Sequence, residues 1–162
     1  LSNSFFLSDR FMKKVMSTGA NGYIGGSLRR YYQNHGKNVV CVDLVGNGKD
    51  IIEGDIAQTD SIGHVLQECD VIIHTAALVS NAMQDSDMWR VNVLATRNLI
   101  EAAKEHKVRR FVQISSVVAY GNSAEGELDE SQPVHADGGS YVLTKLASEH
   151  VVLGAQANDD IE

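Results

Sequence analysis

The chain has 162 residues, 43% of them apolar, and a formal net charge of −7 at pH 7, enough for one domain with its own core. That charge argues against a surface built to neutralise nucleic-acid phosphates, which needs a local excess of Lys and Arg. Lys107, Arg109 and Arg110 form the one dense basic cluster and read as a solvated helix end, and no apolar run reaches the roughly 20 residues that span a bilayer.

Residues 1–11 carry aromatics but no basic segment ahead of a sustained apolar stretch, so a secretory signal is not expected. Met12 stands directly before "KKV"; residues 1–11 are expected to be a leader or tag, with the fold running over 12–162. "KKVMS" (13–17) is a short first strand, followed by a glycine-rich turn and a helix carrying Ile24, Leu28 and Tyr31/Tyr32 at helical spacing. "NVVCVDL" (38–44) is a continuous β-branched run of the kind buried on both faces of a parallel sheet, and "DIIEGDI" (50–56) is a weaker strand. A helix is predicted over 59–69, with Ile62, Val65, Leu66 and Cys69 on one face, then a strand in "DVIIHTAA" (70–77). A long helix follows from about Asp87 to His106, then a strand over 109–116 and a helix over 140–156.

Strands alternating with helices imply an α/β fold, a doubly wound parallel sheet with helices on both faces. Cys41 and Cys69 stand 28 apart without a CxxC or a His at ligand spacing, which points to buried thiols in a reducing compartment, the cytoplasm, and to no metal site. The irregular segment 121–139, rich in Gly, Asp, Glu and Ser, is long enough to be functional or disordered.

Gly19, Gly22 and Gly25 lie three apart, between a strand and a helix. In such a turn the first glycine permits the tight bend, the second lets a ligand approach the backbone, and the third lets the helix pack near the sheet. The helix N-terminus then offers free N–H groups and about +0.5 charge to a pyrophosphate. Asp43 ends the second strand, 18 residues after Gly25, where an acidic side chain reaches the adenosine ribose hydroxyls. A carboxylate there repels a 2′-phosphate, and no Arg or Lys follows before Lys49, so NAD is favoured over NADP. Asp55 and Ile56 end the third strand, where they either meet the adenine or form a plain turn.

Downstream, Tyr141 and Lys145 form Y-x-x-x-K on one helix face, and "SSVVAYG" (115–121) follows the fifth strand, at the edge where an open α/β sheet places its ligand crevice. A phenol with pKa about 10 is a poor base at neutral pH. A cation about 4 Å away contributes up to roughly 4 kcal/mol at an effective dielectric of 20, lowering that pKa by up to about 3 units, into the range where general bases work best. Lys145 supplies such a charge, letting Tyr141 take a proton from a substrate hydroxyl.

"TGANGYIG" (18–25) with Y-x-x-x-K resembles the extended short-chain dehydrogenases/reductases, in particular their NAD-dependent epimerase/dehydratase branch; the likeness covers about 12–157. It implies a Rossmann fold truncated before the C-terminal strands and substrate domain, so that the strand 109–116 would keep an unpaired edge. It adds Ser116, four before Tyr120 and 25 before Tyr141, as the hydroxyl that holds the substrate oxygen, with Ser115 as fallback. It implies cofactor contacts from Tyr23 and Ile24 in the turn, from Thr75, Ala76, Ala77 and Leu78 in "HTAAL" (74–78), from Asn92 on the long helix, and from Tyr141 and Lys145. His74 is expected to contribute only backbone. Ser17, where a branched apolar residue is usual, Ser140 in place of Pro, and Val142-Leu143-Thr144 within Y-x-x-x-K depart from the family wording.

The function implied is an oxidoreductase acting on a hydroxyl of a nucleotide sugar, an epimerase or dehydratase. The alternatives are a net dehydrogenase or ketoreductase of a steroid-like or other alicyclic alcohol, and a non-catalytic NAD-binding module. The partner implied is a small-molecule substrate; a homodimer through the 88–106 and 140–156 helices is allowed by their apolar stripes.

Overall fold

The computed structural model describes residues 14–79, 85–120, 127–129, 131–136, 138–158 and 161–162. The leader or tag expected over 1–11 and much of the irregular segment 121–139 lie outside the described residues. Five parallel strands, β1 (Val15–Thr18), β2 (Val39–Asp43), β3 (Ile51–Glu53), β4 (Val71–His74) and β5 (Arg110–Gln113), stand in the order β3-β2-β1-β4-β5. The chain builds outward from β1 to β3, then returns to the other side of β1 for β4 and β5. The connections after β1 and β4 therefore diverge, opening a crevice at the carboxyl ends of those strands.

Alternation along β1 divides the core. Met16 joins Val42, Leu66, Ile72 and Leu99 in the larger cluster, while Val15 joins Val71 and Ile73 on the opposite face. Helix α1 (Tyr23–Asn34) covers that second face with Leu28 and Tyr32. The first face is covered by α2 (Gly63–Leu66), α4 (Ala95–Glu105) and α5 (Ser140–Ala157).

The predicted helix over 59–69 is shorter than its apolar pattern implies. A 3₁₀ turn, Thr59–Ser61, precedes a four-residue α2, because Gly63 at its first position and the left-handed Glu68 (φ 60°) favour turns over a sustained helix. Its apolar face is nevertheless buried as expected, and Lys14 Nζ donates to the Val65 and Gln67 carbonyls at 2.7 and 2.9 Å, placing a cation at the helix C-terminus. The long helix predicted from Asp87 starts two residues earlier. It comprises α3 (Asp85–Met88), a π-helical stretch (Trp89–Leu94) and α4, running on without a break. None of the described helices is long and apolar enough to cross a membrane.

The strand at 109–116 does not keep a fully bare edge. Phe111 N donates to the Glu162 carbonyl at 2.8 Å and Glu162 N to the Arg109 carbonyl at 3.1 Å, a parallel bridge, while Ile161 is buried in the core. Arg109 and Arg110 both ion-pair with the Glu162 carboxylate. The basic cluster read as a solvated helix end thus does more: Lys107 is exposed there, and the two arginines fasten a terminal segment.

Ser17 is 0% exposed and its hydroxyl has no hydrogen-bond partner among the described residues. A buried orphan hydroxyl costs about 1–3 kcal/mol. Ser17→Ala is expected to raise stability by about 1 kcal/mol, read as a thermal midpoint about 2–4 °C higher; an unchanged or lower midpoint would contradict the orphan assignment.

Candidate cofactor cleft and active site

The turn after β1 is shaped by atoms that leave no room for side chains. Gly19 has φ +67°, and a Cβ there would lie 2.8 Å from the Ala76 backbone. A Cβ on Gly25 would stand 2.1 Å from the Gly19 carbonyl oxygen and 2.8 Å from Thr75 Oγ1, so Gly25 serves packing and does not line the cleft. Gly22 caps α1 with extended backbone, and no side chain caps the first N–H groups of that helix. Those groups remain donors for an anion.

The cleft beside this turn holds about 210 Å³. Its walls bring together Gly19, Gly22 and Asp43 with Asp55 and Ile56, and across from them Thr75, Ala76, Ala77 and Leu78, all anticipated from the sequence. The Asp43 carboxylate accepts the Asn21 N–H at 2.8 Å, and Asn21 Nδ2 donates to the Val45 carbonyl at 2.8 Å, so the turn fixes the acidic side chain and the loop that follows it. Val42, Leu44, Gly54, Arg90 and Val91 also line the cleft and were missed. Leu44 and Gly54 adjoin predicted positions. Arg90 and Val91 lie on the π-helical stretch, where the sequence reading saw only the body of a long helix.

Other predicted cofactor residues lie off these walls. Tyr23 is 92% exposed and Ile24 is also exposed, both on the first turn of α1. Asn92, 2% exposed, is turned inward: its Oδ1 accepts the Leu78 N–H at 2.7 Å, and its Nδ2 donates to the Leu78 carbonyl at 3.1 Å and to Thr144 Oγ1 at 3.1 Å. It thus shapes the cleft through the backbone of Leu78. Thr144 Oγ1 in turn donates to the Tyr141 carbonyl at 3.0 Å, tying the first turn of α5 to the long helix. The Ser140 hydroxyl donates to the Asp85 carboxylate at the same end.

His74 does more than lend its backbone. It is 1% exposed, with Nδ1 2.7 Å from Thr18 Oγ1 and Nε2 3.0 Å from Thr96 Oγ1. Thr96 donates its proton to the Asn92 carbonyl at 2.8 Å, which leaves its oxygen to accept from His74 Nε2–H. Nδ1 then accepts from Thr18, whose oxygen accepts the Ala76 N–H at 3.3 Å. Burial, helped by the Lys145 charge, pulls the His74 pKa down to about 3, so the imidazole is neutral at pH 7.

Lys145 is 4% exposed, and its Nζ donates to the Ile114 carbonyl at 2.6 Å, just past the end of β5. Burial pushes its pKa down, opposed by the Glu149 carboxylate one turn on. Among the described residues Ser115 Oγ is buried without a partner, whereas Ser116 Oγ meets only the Val118 N–H at 3.5 Å, in the half-buried turn before the 3₁₀ helix Val117–Tyr120. Tyr141 is half-buried on the first turn of α5, one turn before Lys145.

With this geometry established, comparison with known proteins gives three kinds of match. The profile of the NAD dependent epimerase/dehydratase family matches residues 15–162. A 4-hydroxy-2-methyl-3-oxo-4-farnesyl-3,4-dihydroquinoline-1-oxide ketoreductase of Stigmatella aurantiaca is 30% identical over 88% of this chain and 46% of its own. A dTDP-glucose 4,6-dehydratase of Streptomyces niveus is 34% identical over 86% of this chain and 48% of its own. The solved structure of MoeE5 in complex with UDP-glucose and NAD superposes with a TM-score of 0.82 at 34% identity, over 92% of this chain and 51% of that one. The chain spans about half the length of the curated relatives it matches.

Two measurements probe the site. Gly25→Ala is expected to abolish NAD binding and to lower the thermal midpoint, because the new methyl would meet the Gly19 carbonyl; retained affinity would sink this packing role. The unfolded chain binds a proton at His74 below about pH 6.5 while the folded chain does not until about pH 3, so stability falls with pH across that window. The slope approaches about 1.4 kcal/mol per pH unit. Urea midpoints at pH 7.5, 6 and 5 should show the decline in the wild type and a flatter profile in His74→Gln; equal slopes would contradict it.

Proposed function

The chain belongs to the NAD-dependent epimerase/dehydratase family, and from that premise we propose that it binds NAD in the cleft beside Gly19–Gly25 and takes part in oxidising a hydroxyl of a nucleotide sugar. The residues fit the cofactor. Gly19 and Gly22 clear space at an uncapped helix N-terminus for the pyrophosphate, Asp43 is held where it can accept the adenosine ribose hydroxyls, and Asp55 and Ile56 stand at the adenine end. Asp43 also disfavours a 2′-phosphate, which keeps the preference on NAD rather than NADP.

NAD held by these residues would supply a hydride acceptor for the carbon that carries the reacting hydroxyl. Tyr141, as a phenolate stabilised by Lys145, takes the proton of that hydroxyl and becomes a neutral phenol, and Ser116 donates a hydrogen bond to the substrate oxygen. The observation that supports these roles is the Lys145 ammonium held against the Ile114 carbonyl, which brings Y-x-x-x-K to the strand end that also carries Ser116. Asn92, through Thr144, holds the backbone of Tyr141 in the same place.

The half of the relatives' length that this chain does not span would supply the wall that grips the sugar. The ketoreductase relative favours a second reading, a net dehydrogenase or ketoreductase of an alicyclic alcohol. Reduced cofactor accumulates stoichiometrically with product in that case and not in an epimerase. We also propose a homodimer through the outer faces of the long helix and α5, where Trp89, Leu94 and Leu153 are exposed. A cytoplasmic location suits the two buried free thiols, Cys41 and Cys69.

Tyr141→Phe is expected to lower turnover of a nucleotide-sugar panel by at least about a hundredfold, while calorimetric titration gives an NAD affinity within about twofold of wild type. Turnover that survives the substitution would remove Tyr141 as the base, and absence of turnover in the wild type alongside tight NAD binding would favour the non-catalytic module.

A further inference from the structure

Arg90 is a cation that the Tyr-Lys-Ser chemistry does not use. It lines the cleft together with Val91, in a lining that also includes Asp55 and Ile56. The long helix is anchored close to those two, where Asn98 Nδ2 donates to the Ala57 carbonyl at 3.3 Å, directly after Ile56. Arg90 lies about two turns nearer the helix start than Asn98, above that anchor and toward the carboxyl edge of the sheet. The π-helical turn (Trp89–Leu94) sends Asn92 inward to Leu78 while leaving Arg90 and Val91 to face the cleft.

Its guanidinium is exposed and makes no hydrogen bond or ion pair with any described residue. By contrast Arg29 is engaged with Asp50, and Arg109 and Arg110 with Glu162. Among the described lining residues Arg90 is the one Lys or Arg, and the lining also holds the carboxylates of Asp43 and Asp55 and the apolar Val42, Leu44 and Ile56. The pyrophosphate is already provided for by the glycine turn and the start of α1. What the far end lacks is a cover for a flat, electron-rich ring. A guanidinium is planar, weakly hydrated and stacks on aromatic faces, which a lysine ammonium does not reproduce.

We propose that Arg90 closes the adenine end of the cleft by laying its guanidinium against the adenine ring of NAD, with Val91 beside it. This rests on the reading that NAD occupies the cleft, and it makes Arg90 a determinant of affinity for the adenosine half of the cofactor rather than of the chemistry at the nicotinamide.

The test is calorimetric titration of the full chain with NAD and with ADP-ribose, in wild type, Arg90→Gln and Arg90→Lys, at low and high salt. Both substitutions are expected to weaken both probes by about tenfold, with little dependence on salt and with the thermal midpoint of the ligand-free protein unmoved. Restoration of wild-type affinity by Arg90→Lys, lost again at high salt, would overturn the stacking role in favour of a charge on the pyrophosphate. Wild-type affinity in both variants would overturn any role for Arg90 at the cofactor. Failure of the wild type itself to bind either probe would overturn the cofactor reading beneath the proposal, a result separable from the other two.

Discussion

Between Gly25 and the Gly19 carbonyl there is no space for a methyl group, and the same is true between Gly19 and the backbone of Ala76. These two contacts set how far the start of α1 stands from the end of β4. The cleft is the gap left over once they are made. Close approach of backbone to backbone leaves the early N–H groups of α1 uncovered at the floor of that gap, and it lets Asn21 reach across to fix Asp43 and the loop after it. Residue choice at three glycines therefore determines shape, hydrogen-bond donors and the position of a carboxylate at once.

Beneath the cleft runs a column of buried polar groups, from Thr18 on β1 through His74 on β4 to Thr96 and Asn92 on the long helix, and on through Thr144 to the start of α5. Polar groups placed so deep cost stability unless every donor finds an acceptor. Here one arrangement of protons satisfies the chain of contacts, and it requires a neutral imidazole. Apolar packing would hold these elements together equally well but would tolerate sliding between them. Directional bonds do not, so the column aligns the two sides of the site, Leu78 at the cleft and Tyr141 at the proposed base, to a common frame.

The fold was legible where one physical signal dominates. β2 and β4 are continuous β-branched runs, and α5 has a long helical pattern; all three fall within a few residues of the expected bounds. The glycine turn and Asp43 were legible because their spacing follows from backbone geometry and needs no partner elsewhere. The side chain of His74 was not, since its role depends on Thr18 and Thr96, 56 and 22 residues away. Asn92 was placed in the cofactor set, but its actual partners, Leu78 and Thr144, are set by tertiary packing. The bridge from Glu162 to β5 was missed for a simpler reason: two residues carry no periodicity.

The wide turn at Trp89–Leu94 ties this site to chain length in a way few segments do. A helix that carries one surplus residue per turn can shed it and become an ordinary α-helix at little local cost. Loss of a single codon there would close the stretch to an ordinary α-helix, with α3 and α4 keeping their faces, and would remove the extra residue by which Arg90 and Val91 meet the cleft while Asn92 turns inward. Substitutions along this stretch change one contact at a time; a one-residue deletion would change the handover between cleft and helix all together. Sequences drifting from this one should accordingly tolerate exchange of side chains in that turn far better than gaps.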